Sequence, residues 1–130
     1  MSGEMFFENK SKFEETVEHL VHAISEGGWR LQHIHDLQET MTKNGLEVLP
    51  AKVFELCMPQ YAYKLLSNDA LRIYSNMMPC RISVYNKEEG VTYISRMNTA
   101  MLSSQIGGEV EAVMKKAFDD AEVFIKKLSE

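Results

Sequence analysis

The sequence has little cysteine and no long hydrophobic run, and each shortage excludes a class of protein. Only Cys57 and Cys80 are present among 130 residues, too few for a disulfide-framework miniprotein. No apolar stretch approaches the roughly 18 residues that a membrane-spanning helix requires. The first residues also lack the basic region and apolar core of a secretory signal. We therefore expect a soluble cytoplasmic protein with reduced thiols and no membrane partner.

Basic residues are scarce as well. The 14 Lys and Arg residues are outnumbered by 19 Asp and Glu residues, which gives a formal net charge of −5. A general nucleic-acid binder needs a basic face that releases counterions, so we expect no nucleic-acid partner. The composition is otherwise ordinary, at 45% hydrophobic and 25% charged residues. A chain of this length is typical of one domain with its own core, here residues 1–130.

Sequence motifs of known catalytic sites are also lacking. The sequence contains no glycine-rich dinucleotide or phosphate loop, no Gly-x-Ser-x-Gly and no His-Glu-x-x-His. Its most suggestive carboxylates, Glu14, Asp36 and Glu39, are better interpreted as helix-capping residues. The sequence therefore predicts no cofactor and indicates no reaction, and it leaves open whether the protein is an enzyme.

Helical and strand periodicities alternate along the chain. A capping box at Ser11 and Glu14 predicts a helix over 12–26, and apolar spacing predicts a long amphipathic helix over about 109–128. Shorter helices are predicted after Asp36, after Pro59 and near Thr99. Strands are predicted near 5–8 and over 29–34, 51–58, 80–86 and 91–97.

This order predicts a two-layer α+β fold. We expect a mixed sheet of about five strands that includes a β-hairpin, with the long helices packed on one face. The other face of the sheet would then be partly open or covered by a second subunit.

Three stretches resemble the family known as domain of unknown function 302, DUF302. They are Phe13–Val17 with Gly28-Trp29 and Asp36-Leu37, then Leu56-Cys57-Met58-Pro59, and then Met78 to Tyr85. The resemblance covers residues 13–102, and the helix after Gly108 lies outside it. Met58 and Arg81 stand where the family usually has Asn. The resemblance implies a small α+β domain that is often dimeric, and it implies no accepted reaction.

Methionine is abundant, with nine residues in the chain. Met77, Met78, Met97 and Met101 cluster around the ends of the hairpin strands, and adaptable methionine surfaces suit an interface. We therefore expect a symmetric homodimer. The favoured function is a non-enzymatic small-ligand or protein-binding module.

The hairpin suggests a ligand site. If Asn86 pairs with Val91, Arg81 lies opposite Arg96, and paired guanidinium groups suit a carboxylate, sulfate or phosphate. This small anionic ligand would lie beside Ser83 and Tyr85. In the alternative, both arginines bend away to water or to an Asp or Glu of this acidic chain. A two-residue turn at Glu89-Gly90 would instead place Arg81 opposite Asn98 and remove the pocket.

The alternative function is a thiol-dependent redox enzyme or a soft-metal protein built on Cys57 and Cys80. Against it, free cysteines are usually buried as small apolar residues, and no Cys-x-x-Cys spacing is present to lower a thiol pKa. His33 and His35 are two residues apart on a strand and so point to one face, which under strict alternation is also the face of Trp29 and Leu31. Because a zinc site needs at least a third ligand, no metal is firmly predicted.

Overall fold

A computed structural model describes residues 4–78 and 80–130. The strands are β1 (Phe6–Lys10), β2 (Arg30–Asp36), β3 (Ala51–Cys57), β4 (Cys80–Asn86) and β5 (Thr92–Met97). The α-helices are α1 (Thr16–Glu26), α2 (Leu37–Lys43), α3 (Pro59–Leu66), α4 (Thr99–Ser103) and α5 (Gly108–Leu128). A 3₁₀ helix, Arg72–Met77, lies between α3 and β4.

The five strands form one sheet in the order β1-β5-β4-β3-β2, and each neighbouring pair is antiparallel. The predicted α+β class is confirmed, but the predicted mixed sheet is wrong. The unit β1–α1–β2 does join two strands that run in the same direction. These strands lie at opposite edges of the sheet, with three strands between them, so they never pair.

Helices α1 and α5 pack on one face of the sheet and enclose the core. All the predicted apolar positions of α5 are buried, which confirms the layering. The C-terminal positions, from Ala117 to Leu128, pack in one core with Phe54, Ile82 and Ile94, and Val110, Val113 and Met114 pack in a second cluster with Leu65 of α3. On the opposite face, none of the described strand residues is buried. In the described ranges, 4–78 and 80–130, no helix is both long and apolar enough to cross a membrane.

Helix α1 begins four residues later than the capping pattern predicts. The Ser11 N–H donates to the Thr92 carbonyl at 2.9 Å, and Ser11 forms an isolated β-bridge with Ser129. Its hydroxyl accepts from the Thr16 hydroxyl at 2.7 Å. Ser11 is therefore held beside the sheet, and the predicted cap there is wrong. The cap at Asp36 is confirmed, since its carboxylate accepts from the Glu39 N–H at 3.0 Å.

The turn of the β4–β5 hairpin holds three residues, 88–90. The Lys87 N–H donates to the Val91 carbonyl at 3.2 Å, and the Gly90 N–H donates to the Lys87 carbonyl at 2.8 Å. Gly90 has φ +82°, the left-handed conformation that closes a three-residue hairpin loop. Asn86 consequently pairs with Thr92. The predicted pairing of Asn86 with Val91 is wrong by one residue.

Strand β2 contains a bulge at Gln32. Leu31 pairs with Leu56, but the next pair is His33 with Glu55. The extra residue reverses the alternation of side chains along the strand. His33 and His35 therefore lie on the face opposite Leu31, and their predicted grouping with Trp29 and Leu31 is wrong.

Candidate functional site

The uncovered face of the sheet holds six of the eight predicted site residues. We call this surface the open face; it comprises Phe6, Glu8, Lys10, Arg30, His33, His35, Ala51, Val53, Glu55, Cys57, Arg81, Ser83, Tyr85, Tyr93, Ser95 and Met97. Arg81, Ser83, Tyr85, His33, His35 and Cys57 belong to it, although the predictions assigned them to two unrelated sites.

A row of side chains crosses the middle of the open face on all five strands. Successive pairings bring Glu8 beside Ser95, Ser95 beside Ser83, Ser83 beside Val53, and Val53 beside His35. The row has an acidic end on β1, small side chains at its centre and an imidazole on β2.

Basic groups surround one carboxylate at the β2–β4 side of the open face. His35 Nε2 lies 3.1 Å from Glu55 Oε2, and Arg81 Nε lies 3.4 Å from the same oxygen. The hydrogen bond from His35, followed by that from Arg81, lowers the pKa of Glu55. The His33 and His35 rings are 4.4 Å apart. Even so, no group of three metal-ligating side chains occurs in the part of the chain that the structure describes.

Two tyrosines form the opposite side of the open face. The rings of Tyr85 and Tyr93 stack at 6.2 Å with an interplanar angle of 15°. The Tyr85 hydroxyl donates to Glu8, and Lys87 Nζ lies 3.0 Å from the same carboxylate. These two hydrogen bonds lower the pKa of Glu8. Burial and the bond to Glu8 raise the pKa of Tyr85, so its phenol stays protonated as a donor.

Arg81 and Arg96 are not brought together. The one-residue change of register pairs Arg96 with Ile82, and a shift of one residue moves a side chain to the other face. Arg96 therefore points under α5, where Nε and Nη2 each lie 2.7 Å from a carboxylate oxygen of Glu122. The geometry that was the basis of the predicted anion pocket is absent.

The two thiols lie at the end of the β3–β4 pair. Both are free, and Cys80 is packed against the core beside Leu56. Burial, followed by the neighbouring Cys57, raises the pKa of Cys80 to about 11, and burial also raises the pKa of Cys57. Because the thiolate is the reactive form, this environment makes both groups poor nucleophiles near neutral pH.

Sequence reasoning missed Glu55 and Glu122, the two carboxylates that neutralise the arginines. Glu122 had a signal, because it lies four residues after Phe118 and three before Ile125, on the inward face of a helix. The turn also had a signal, since a glycine that ends a three-residue loop gives the observed register. Glu55 had none, because its partners come from β2 and β4.

The family model for the domain of unknown function DUF302 matches residues 7–128. This match includes α5, which the resemblance seen in the sequence had left outside. A crystal structure of an uncharacterized conserved DUF302 protein from Bacillus stearothermophilus superposes with a TM-score of 0.83 at 19% identity, covering 95% of this chain and 98% of that chain. No curated protein matches. With almost the whole chain matched by its family model, the protein belongs to the DUF302 family.

Proposed function

We propose that the protein is a non-enzymatic binding module that acts as a homodimer, with the open face as its contact surface. The observation that carries the proposal is the one-sided sheet: five strands present a continuous face on which no described side chain is buried. Phe6 is 61% exposed at one edge of this face, beside the exposed Met97 with which it pairs. Sheet faces that pack together bury such side chains.

The occupant that this surface fits best is a second copy of the same chain. In a symmetric dimer the same patch faces itself, so it must be complementary to itself. The central row has the acceptor Glu8 at one end and the donor His35 at the other. A two-fold axis parallel to β4 would place Glu8 of each copy against His35 of its partner. Arg81 would lie near the axis with its charge neutralised by Glu55.

Dimerisation is tested by light scattering at micromolar concentration. We expect twice the mass of the 14.9 kDa chain. Ser83→Glu would place two like charges across the axis and should weaken the dimer at least tenfold, whereas Ser25→Glu on the exposed surface of α1 is the matched control. A monomer would contradict the proposal, and a dimer that Ser83→Glu leaves unchanged would contradict the assignment of the surface.

The thiol-dependent alternative receives less support, because the pKa of both thiols is raised. Thiol titration of the native protein separates the two functions. We expect both cysteines to react more slowly than a free thiol at pH 7, because burial raises the pKa of Cys57 and raises that of Cys80 to about 11. Fast reaction of either cysteine, assigned with Cys57→Ser and Cys80→Ser, would favour the redox function instead.

A further inference from the structure

A cavity of about 180 Å³ lies mainly on the helix side of the sheet, and two of its lining residues, Arg81 and Met97, also belong to the open face. Its walls come from β4, β5, α4, α5 and the 3₁₀ helix. Ile82 of β4 and Ile125 of α5 give the cavity an apolar lining. Ala117 and Ala121 on α5 also line it, and their side chains are too short to fill the space. Three lining residues, Asn76, Arg81 and Met97, are exposed, so the cavity reaches the surface.

One wall of the cavity carries a buried ion pair. The side chains of Arg96 and Glu122 are only 9% and 12% exposed, and their two hydrogen bonds are both 2.7 Å long. A third N–H of Arg96 donates to Asn9. Since a guanidinium has five N–H donors, two remain for a further acceptor beyond these described bonds.

The ion pair determines which charge a ligand can carry. Arg96 and Glu122 neutralise one another, and the third charged lining residue, the exposed Arg81, is paired with Glu55 at 3.4 Å. The cavity therefore has no unpaired charge to offer an ion. An anion would have to displace Glu122, and a cation would have to displace Arg96, and either exchange leaves a buried charge without its partner. A neutral molecule leaves the pair intact and can still accept a hydrogen bond from Arg96.

We propose that this cavity binds a small neutral molecule with an apolar ring and one hydrogen-bond acceptor. The size follows from the volume, since an apolar cavity of about 150 Å³ holds a benzene ring. The ring would lie between Ile82, Ile125 and the two alanines of α5. Its polar substituent would face Arg96. This site goes beyond the proposed function and does not depend on dimerisation.

Three probes of nearly equal shape test the proposal. Benzyl alcohol is neutral, benzoate is anionic and benzylammonium is cationic. Binding is followed in methyl NMR spectra of the full chain, with Ile82 and Ile125 as reporters inside the cavity and the exposed Ile73 as the control. We expect saturable shifts of the two inner methyl groups with benzyl alcohol and at least tenfold weaker binding of both ions.

Three substitutions make the test specific. Ala121→Leu fills the cavity and should abolish the shifts, whereas Ala112→Leu makes the same change on the exposed side of α5 and should not. Glu122→Gln frees the charge of Arg96 and should strengthen benzoate binding at least tenfold relative to the native protein.

Equal binding of the charged and neutral probes would overturn the assigned ligand class. Absence of any shift at Ile82 and Ile125 would overturn the site itself, whether or not Ala121→Leu folds. Neither result bears on the mass of the protein in solution, so failure of this inference is distinguishable from failure of the dimer.

Discussion

Arg96 and Glu122 form the least exposed ion pair among the described residues. Arg96 lies on β5 beneath α5 and Glu122 lies on α5, their side chains are only 9% and 12% exposed respectively, and they form two hydrogen bonds of 2.7 Å with one another. Removal of one partner of a buried pair leaves an uncompensated charge, whereas removal of both leaves none. The stability of the protein should therefore depend on the two residues jointly rather than separately.

Urea unfolding tests this coupling. We expect Arg96→Met to lower the free energy of unfolding by about 3–5 kcal/mol. The double variant Arg96→Met with Glu122→Leu should recover most of that loss. Lys115→Ala, which removes the exposed Lys115–Asp119 pair, is the control and should cost less than about 1 kcal/mol. Additive effects of the two buried substitutions would show that the pair is not coupled.

Helix α5 contributes side chains both to the core and to the lining of the cavity. Its inward positions recur at helical spacing, and it carries acidic residues in the first turn and Lys126 and Lys127 in the last, which suits the helix dipole. Phe124 is 6% exposed and contacts Trp29 edge-on at 6.5 Å between ring centroids. Val123, the preceding residue, points outward and is 59% exposed.

These two neighbours give a matched test of the layering. Phe124→Ala should lower the free energy of unfolding by about 3–5 kcal/mol, because it removes a buried aromatic side chain and leaves a cavity. Val123→Ala should change it by less than about 0.5 kcal/mol, as exposed positions usually do. Chemical denaturation of both variants measures the difference. Similar losses for the two would mean that the described face of α5 is not the packed one.

At the level of the whole molecule, acid should destabilise the fold through carboxylates on the strands and helix ends. The pKa of Asp36 is lowered, first by the Glu39 N–H and then by Lys52, and the pKa values of Glu8 and Glu55 are lowered by their own partners. A carboxylate whose pKa is lower in the folded state than in the unfolded chain stabilises the fold at higher pH. That contribution disappears as the pH falls below about 4, through the folded-state pKa.

Asp36→Asn tests this pH dependence at one position. Asparagine still caps α2 but cannot ionise, so we expect a smaller loss of stability between about pH 5 and pH 3 than in the native protein. Thermal unfolding across this range measures it. Glu88→Gln removes one exposed turn carboxylate and serves as the control. An unchanged pH profile for Asp36→Asn would contradict the role given to this carboxylate.

Local patterns in the sequence were sufficient for most elements. The apolar spacing of α5, the Asp36 cap, the hairpin strands and the α+β class follow from residues close together in the chain, so short-range rules predict them. The resemblance to DUF302 likewise needed only short motifs. The predicted start of α1 was wrong because Ser11 is bound to Thr92 and Ser129, which lie far away in the sequence.

Only the tertiary structure decided which side chains meet. The bulge at Gln32 and the three-residue turn each moved a strand by one residue, and one residue is enough to exchange the two faces of a sheet. The bulge places His35 beside Glu55, and the three-residue turn places Arg96 beside Glu122. The order of the strands likewise depends on which edge of the sheet each long connection between strands reaches. Local spacing therefore specifies the helices and strands, while the contacts that form a site arise from register and order, which distant partners determine.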